Sequence, residues 1–260
     1  MTSPPDEEAR RFLAEHADYV EDIEFWRDAA AAYGGPVLDL GCAAGRVALA
    51  LARDGHAVWA LDASQAMLEA LGSAAAVEPA AVGDRITPVL ADLTSFGLAE
   101  RFPLVICAMN TLQVLTEPAD QRAFLEGVAA HLTPEGAFVF DVILPDLGEI
   151  ANRLGQLLQV GATLDEVSGR SLMRWACYED FDSITQTADV LTIVDEFQPG
   201  GALMRRTRRH RVHLFLPAEL AHLLVLSGLE VIEILGDFDG SPVEASSQRQ
   251  IYRCRRAEST

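Results

Sequence analysis

The sequence predicts an α/β fold: a seven-stranded, mostly parallel sheet between helices, with an inserted antiparallel β meander. Two patterns predict it. Short apolar runs alternate with amphipathic helical stretches from Val37 to Ile143, and long segments rich in β-formers, separated by polar turns, run from Arg170 to Phe215. After the second pattern the chain returns to helix and strand, so the meander is an insertion into one core.

The elements follow in order. Phe12, Ala17, Val20, Ile23, Trp26 and Ala30 fall at helical spacing between about Glu7 and Tyr33, and Gly34-Gly35-Pro36 ends the pattern. Next come an apolar run Val37 to Leu40, a helix from Gly45 to Arg53, a run Ala57 to Leu61, and a helix from Ser64 to Ala75. A loop around Pro79 to Asp84 precedes the strand segment "RITPVLADL". Then follow "FPLVICAMN", a helix from Pro118 to His131, the turn "TPEG" and the strand "AFVFDVI". "DLGEIANRLGQLLQ" reads as helical. Arg170 to Tyr178, Ile184 to Phe197 and Leu203 to Phe215 read as strands around "EDFDS" and "QPGG" turns. Helix Pro217 to Leu226, a Ser227-Gly228 stop, strand "EVIEIL" and strand "RQIYRCR" complete the core. The expected divisions are N-terminal helices 1–35 covering the site, a core of 36–147 and 216–260, and an insertion 148–215.

Composition removes several function classes. The 260 residues carry a net charge of −19 and no lysine, all 20 basic residues being arginine, which disfavours a nucleic-acid partner. No run of about twenty apolar residues is free of charge, and "MTSPPDEEARR" is unlike a signal peptide. A cytoplasmic protein without a membrane partner is expected. Cys42, Cys107, Cys177 and Cys254 are widely spaced and form no metal-ligand pair, so buried thiols and no metal site are expected.

The stretch "VLDLGCAAGRVALALARDGHAVWALDAS" carries the chemistry. Gly41 and Gly45 sit where strand must turn into helix, and where a side chain would hold a ligand off the backbone. Asp62, ending the second strand, is placed to accept hydrogen bonds from ribose hydroxyls, so an adenosine ligand is implied. A dinucleotide fingerprint would have glycine where Ala43 and Arg46 stand.

"DLGCAAGR", with Asp39, Gly41 and Gly45, resembles the first motif of the class I S-adenosylmethionine-dependent methyltransferases, a Rossmann-like family; Ala43 replaces its usual middle glycine. "LDASQAML" resembles the second motif, "VLADL" the third, "FPLVICAMNTLQVL" the fourth strand and its exit, and "HLTPEGAFVFDVI" the helix, turn and fifth strand that follow. The matches span about residues 36 to 143, with a weaker one at 217 to 256. The resemblance implies S-adenosyl-L-methionine as cofactor. It implies contacts from Asp39, Gly41, Cys42, Ala43, Gly45 and Arg46 in the first loop, Asp62, Ala63 and Met67 at the second motif, Asp92 and Leu93 at the third, and Ala108 and Met109 at the fourth-strand exit. The N-terminal helices and inserted sheet are similar to those of glycine and amino-sugar N-methyltransferases, where an N-terminal aromatic residue closes over the cofactor. Tyr19, Phe25, Trp26 and Arg27 are candidates here, Tyr19 foremost.

Methyl transfer to an amine needs alignment and exclusion of water more than a catalytic base. Asp141, ending the fifth strand, reads either as an acceptor contact or base, or as a cap on "LPD". Asn110 and Thr111 read either as acceptor-orienting or as turn residues. His56, His131, His16 and His222 read as structural, His131 as an imidazolium complementing a helix C-terminus. His210 and His213 read as exposed strand positions or as acceptor cover. "RRTRRHR" reads as cross-strand salt bridges in preference to an anion site. Trp175, Tyr178 and Phe181 read as packing or as an acceptor pocket. Methyl transfer to a small-molecule acceptor follows, nitrogen before oxygen. The meander serves as lid and acceptor surface or as the face of a homodimer. The rivals are an NAD-dependent oxidoreductase on the same sheet type and a non-catalytic cofactor-binding protein.

Overall fold

The computed structural model describes residues 12, 16, 19–165, 170–197 and 200–258. The core elements are α1 (Ile23–Tyr33), β1 (Val37–Leu40), α2 (Arg46–Arg53), β2 (Val58–Asp62), α3 (Gln65–Ala76), α4 (Ala80–Gly83), β3 (Ile86–Leu90), β4 (Phe102–Cys107), α5 (Pro118–His131) and β5 (Leu132–Ile143). A 3-10 turn, Thr111–Val114, follows β4. Next are α6 (Leu147–Arg153), β6 (Leu158–Asp165), β7 (Arg170–Asp182), β8 (Thr187–Phe197), β9 (Leu203–His213), α7 (Pro217–Leu226), β10 (Leu229–Leu235) and β11 (Arg249–Arg256).

Seven strands form one sheet in the order β10-β11-β5-β4-β1-β2-β3. The ladders from β5 through β4 and β1 to β2 and β3 are all parallel. β11 runs against both β5 and β10 and is the single reversed strand. All four residues of β1 are buried, because helices cover the sheet on both faces. One layer packs around Phe102, Phe124, Phe138, Phe140 and Tyr252, the other around Trp26, Leu51, Leu71 and Ile106. Pro88 is tolerated in β3 because that strand is an edge.

The inserted sheet is antiparallel in the order β6-β7-β8-β9. It has one strand more than expected. The helix read from "DLGEIANRLGQLLQ" ends at Arg153, and Leu158–Asp165 pairs with β7, because that apolar segment completes a ladder where an isolated helix would lie exposed. The β7–β8 turn is Ser183 to Gln186, so "EDFD" belongs to β7 and Ile184 stands exposed in the turn. Of the "QPGG" turn, Gln198 and Pro199 lie outside the described residues, as do residues 1–11 and 166–169. "TPEG" is absorbed into β5 as an irregularity: Leu132 pairs with Phe102 and Ala137 with Leu104, leaving the residues between them out of register. The loop expected at Pro79 to Asp84 contains the single helical turn α4.

The insertion is tied to the core where it leaves and where it returns. Gln113, fully buried, accepts from the Ile143 N–H at 3.0 Å and donates to the His213 carbonyl at 2.9 Å. Gln250 donates to the Phe215 carbonyl at 2.7 Å and accepts from the Tyr252 hydroxyl at 2.8 Å. His213, expected on an exposed strand, is buried here, with Nε2 at 3.0 Å from Glu219. No helix among the described residues is long and apolar enough to cross a membrane.

Candidate functional site

The first loop is a short-range hydrogen-bonded device at the carboxyl ends of β1 and β2, the edge at which ligands enter parallel sheets. The N–H groups of Gly41 and Cys42 both donate to the Leu61 carbonyl, at 2.8 and 2.9 Å. Asp62 holds the loop from the other side, accepting from the Ala43 N–H and the Ser64 N–H, each at 2.8 Å. Gly41, Ala43 and Gly45 all have positive φ, at 73°, 47° and 83°. Ala43 is therefore in the left-handed region that the family's usual glycine adopts freely. The two glycines are required by neighbouring side chains: a Cβ on Gly41 would lie 2.4 Å from Thr111 Cγ2, and one on Gly45 would lie 2.1 Å from Leu71 Cδ1. Room for protein packing, and not only for a ligand, dictates them.

Asp39 is buried beneath this loop. Its Oδ2 is buried with no hydrogen-bond partner among the described residues. Burial pushes its pKa up to about 7, with Arg46 opposing that rise and Asp62 and Asp22 adding to it. A buried carboxylate oxygen without a donor is costly. An ammonium brought to this loop would satisfy it, so the residues present fit a ligand carrying both ribose hydroxyls and an amino group.

Arg46 joins the loop to the N-terminal segment. Its guanidinium makes a bidentate pair with Asp22, Nη2 lying 2.7 Å from Oδ2, and it also donates to the Tyr19 carbonyl at 3.3 Å. It stands over the Tyr19 ring at 5.1 Å and its Nη2 is 3.9 Å from Met109 Sδ. Asp22, fully buried, accepts in addition from Trp26 Nε1 at 2.8 Å. The Tyr19 hydroxyl accepts from Arg249 at 3.2 Å. Of the four N-terminal candidates only Tyr19 reaches the loop: Phe25 and Trp26 are core residues, and Arg27 pairs with Asp54 on the surface.

Across the loop, the β4 exit turns sharply, with Met109 and Asn110 at φ 63° and 59°. Asp141 fixes this turn by accepting the Met109 N–H at 2.6 Å, and burial raises its pKa to about 6. It does not cap "LPD"; Asp146 does so, accepting from the Glu149 N–H at 2.9 Å. Thr111 closes the same turn through its hydroxyl, 2.7 Å from the Ala108 carbonyl. Met67 is buried against Ala43, Ala44 and Phe12. Ala63 is exposed. Asp92, also exposed, accepts from both the N–H and the hydroxyl of Thr94, which hold its carboxyl below the usual range, and Leu93 packs onto the core. Ala91, just before them, donates its N–H to the Asp62 carbonyl at 3.2 Å, so Asp92 and Leu93 leave β3 beside the end of β2.

His131 is structural in a different way from that expected. Nε2 accepts from the Leu98 N–H at 2.9 Å, so the ring is neutral and Nδ1 donates to the Gly127 carbonyl at 2.7 Å. Tyr178 and Phe181 pack against the α6 residues Leu147 and Ile150. All four cysteines are buried. Sequence reasoning missed Asp22 and Arg249, which lie far along the chain from the residues they hold. An acid four residues before a core tryptophan was the one signal for Asp22.

Known proteins share this fold. The family described as "Methyltransferase domain" matches residues 37–136. The cypemycin N-terminal methyltransferase of a Streptomyces species is 30% identical over 225 residues, covering 86% of this chain and 84% of that protein. The structure of the CcbJ methyltransferase from Streptomyces caelestis superposes with a TM-score of 0.76 at 29% identity, covering 93% of this chain and 98% of the other. The glycopeptide N-methyltransferase MtfA complexed with (S)-adenosyl-L-methionine shares the fold, with a TM-score of 0.59 at 24% identity over 92% of this chain and 96% of that one. The dehydrogenase and non-catalytic alternatives gain no support from these likenesses.

Proposed function

The chain belongs to the S-adenosylmethionine-dependent methyltransferases, and from that premise we propose that it methylates an amine nitrogen of a small molecule. The observation that carries the reading is the pair of carboxylates at the ends of β1 and β2, one orphaned and buried, the other beside the loop. Asp62 would hold the ribose and Asp39 the amino group of S-adenosylmethionine. Gly41, Cys42, Ala43 and Gly45 would line it with backbone, Ala63, Met67, Asp92 and Leu93 its adenine, and Ala108 and Met109 its methionine end. When bound, the cofactor supplies a methyl group on a sulfonium, ready for in-line transfer. The chain's own residues then align and enclose: Tyr19 and Arg46 close the loop, and the inserted sheet forms a lid over the acceptor.

Asp141 fixes the β4 exit so that Asn110 faces the acceptor, and its raised pKa suits it to receive a proton from an incoming amine. Nitrogen is favoured because an amine needs only to arrive neutral, and because the cypemycin and glycopeptide enzymes are named for N-methylation. Calorimetry tests the reading. S-adenosylhomocysteine binds and NAD does not, and Asp62→Ala weakens the former by about 2 kcal/mol through lost charge-assisted hydrogen bonds. Tighter binding of NAD would remove the proposal.

A further inference from the structure

The carboxyl edge of the parallel sheet is crossed by three side chains from distant parts of the chain. Arg46 follows β1 at the start of α2, Tyr19 precedes α1, and Arg249 opens β11, whose reversed direction puts its first residue at that same edge. The sheet order sets β4 and β5 between β1 and β11, so the path from Arg46 to Arg249 covers three strand spacings, about 14 Å. Arg46, anchored by the buried Asp22, passes Met109 Sδ at 3.9 Å and donates to the Tyr19 carbonyl at 3.3 Å. Arg249 reaches back from the other side, its Nη1 donating to the Tyr19 hydroxyl at 3.2 Å. Tyr19 is thus gripped at its backbone and ring by one guanidinium and at its hydroxyl by the other.

Strand register locates the second grip. Asp141 pairs with Ile251 and Ile143 with Arg249, so Arg249 and Asp141 project from one face of the sheet, a diagonal apart. Asp141 is the acid that fixes the β4 exit. The far end of the tyrosine therefore stands at the end of β5, and the three side chains make a strap over the region of Met109 and Asp141. Its anchor is firm, because Arg249 lies over the Phe238 ring at 4.3 Å and Phe238 packs on Phe25 of α1 at 5.5 Å.

Arg253, on the same face of β11, shows what Arg249 would be without the tyrosine. It lies over the Phe25 ring at 5.5 Å and pairs with Glu233 at 3.0 Å, as Arg249 lies over Phe238 and pairs with Asp237 at 3.4 Å. Their enclosure is similar, with side chains 32% and 24% exposed. Ring contact and ion pair are common to both, and of the two only Arg249 reaches Tyr19.

We infer that Arg249 is a positioning residue of the methyl-transfer site: it holds Tyr19 across the ends of β4 and β5 and so sets the rate at which S-adenosylhomocysteine leaves the first loop. The inference rests on the closing role proposed above for Tyr19 and Arg46, and adds the group that locks it from the acceptor side. A segment pinned by Arg46 alone could swing about that point, whereas pins on opposite sides of the opening leave it one position. A hydrogen bond from a guanidinium to a neutral hydroxyl slows opening without forbidding it.

A double-mutant cycle on the full chain tests this, with dissociation of S-adenosylhomocysteine followed by stopped flow. Tyr19→Phe removes the hydroxyl and Arg249→Gln the donor. Each speeds dissociation about tenfold, as expected for one hydrogen bond to a charged group, and the two together do no more than either alone. Arg249→Lys, which still donates, recovers most of the wild-type rate, and Arg253→Gln leaves that rate unchanged. A second readout needs no cofactor: nitration of Tyr19 by tetranitromethane, located by mass spectrometry. Burial raises the pKa of the Tyr19 hydroxyl and Arg249 opposes that rise, so loss of the guanidinium alone would slow nitration, and acceleration reports release of the ring. R249Q accelerates it and R253Q does not. Additive effects in the cycle, an unchanged dissociation rate in Y19F, or nitration no faster in R249Q overturns the inference. Y19F, which keeps the ring, decides alone should R249Q fail to fold. If the wild-type protein binds no S-adenosylhomocysteine, the cofactor site proposed at the first loop fails and the exit role with it, while nitration still judges the hold on Tyr19.

Discussion

In the parallel sheet every residue of β1 is buried and its neighbours are apolar, whereas in the inserted sheet the outward arginines of β9 are matched one by one to carboxylates. The first region gains its stability from area removed from water, and its special residues sit only at strand ends, where a carboxylate or a left-handed turn is needed. The second takes its register from turns and cross-strand charge, and leaves its inner face free to vary. A tightly packed core thus holds the first loop, while the inserted sheet leans on solvent-exposed ion pairs. Changes near the first loop are therefore expected to cost far more than changes on the outer face of the insertion.

The largest effect should come from Gly45→Ala. Its Cβ would enter Leu71 in a backbone with φ 83°, so strain and overpacking add to an expected loss of about 4 kcal/mol by chemical denaturation. Gly200→Ala in the insertion meets open space at φ 104° and should cost about 1 kcal/mol, from backbone strain alone. Equal losses at the two glycines would erase the contrast between the regions.

Asp22→Ala comes next. It strands the Arg46 guanidinium and the Trp26 indole N–H in the interior, for about 3 kcal/mol of stability, and it frees the Tyr19 segment from the loop. Limited proteolysis before Ile23 should accelerate at the same time. An unchanged midpoint would mean that the N-terminal segment is held by apolar packing and not by this pair.

A smaller, sharper effect is linked to pH. Asp39 has its pKa raised to about 7 in the free protein, and a cofactor ammonium beside Oδ2 would lower it. The deprotonated form is then the one that binds, so affinity for S-adenosylhomocysteine rises with pH toward about 7 and levels off above it. Calorimetry near pH 6 in two buffers of different ionisation enthalpy should detect proton release on binding, and Asp39→Asn should abolish it. A flat affinity across that range would place the ammonium elsewhere.

The smallest effect is expected on the outer face of the insertion. Asp189 and Arg211 are both exposed, so replacing the pair by Ser and Gln should leave the melting temperature within error at physiological salt. A drop comparable to that of Asp22→Ala would show that the inserted sheet depends on its ion pairs as the core depends on packing.

Much of this molecule was legible in its sequence because the signals are local. Alternation of apolar runs with helical spacing gave the order of elements, and "DLGCAAGR" with Asp62 marked the loop. "RRTRRHR" was correctly read as a salt-bridged strand for four of its five arginines. The failures share a cause. "LGQLLQ" looks helical until β7 offers its ladder, and His131 looks like a dipole-capping cation until Leu98 donates to it. His213 looks exposed until α7 brings Glu219 against it.

Sequence by itself determined the fold class, the first loop and the carboxylates at the ends of β1 and β2, since strand length and turn chemistry place these within a few residues of one another. Tertiary structure alone decided which groups are left unmatched. Asp22 reaches Arg46 across 24 residues, Asp141 reaches Met109 across 32, and Arg208 meets no acid among the described residues while Arg206 and Arg209 find theirs. The physical reason is that pairing and desolvation depend on what the folded chain brings within hydrogen-bond distance, and no local pattern records those distances.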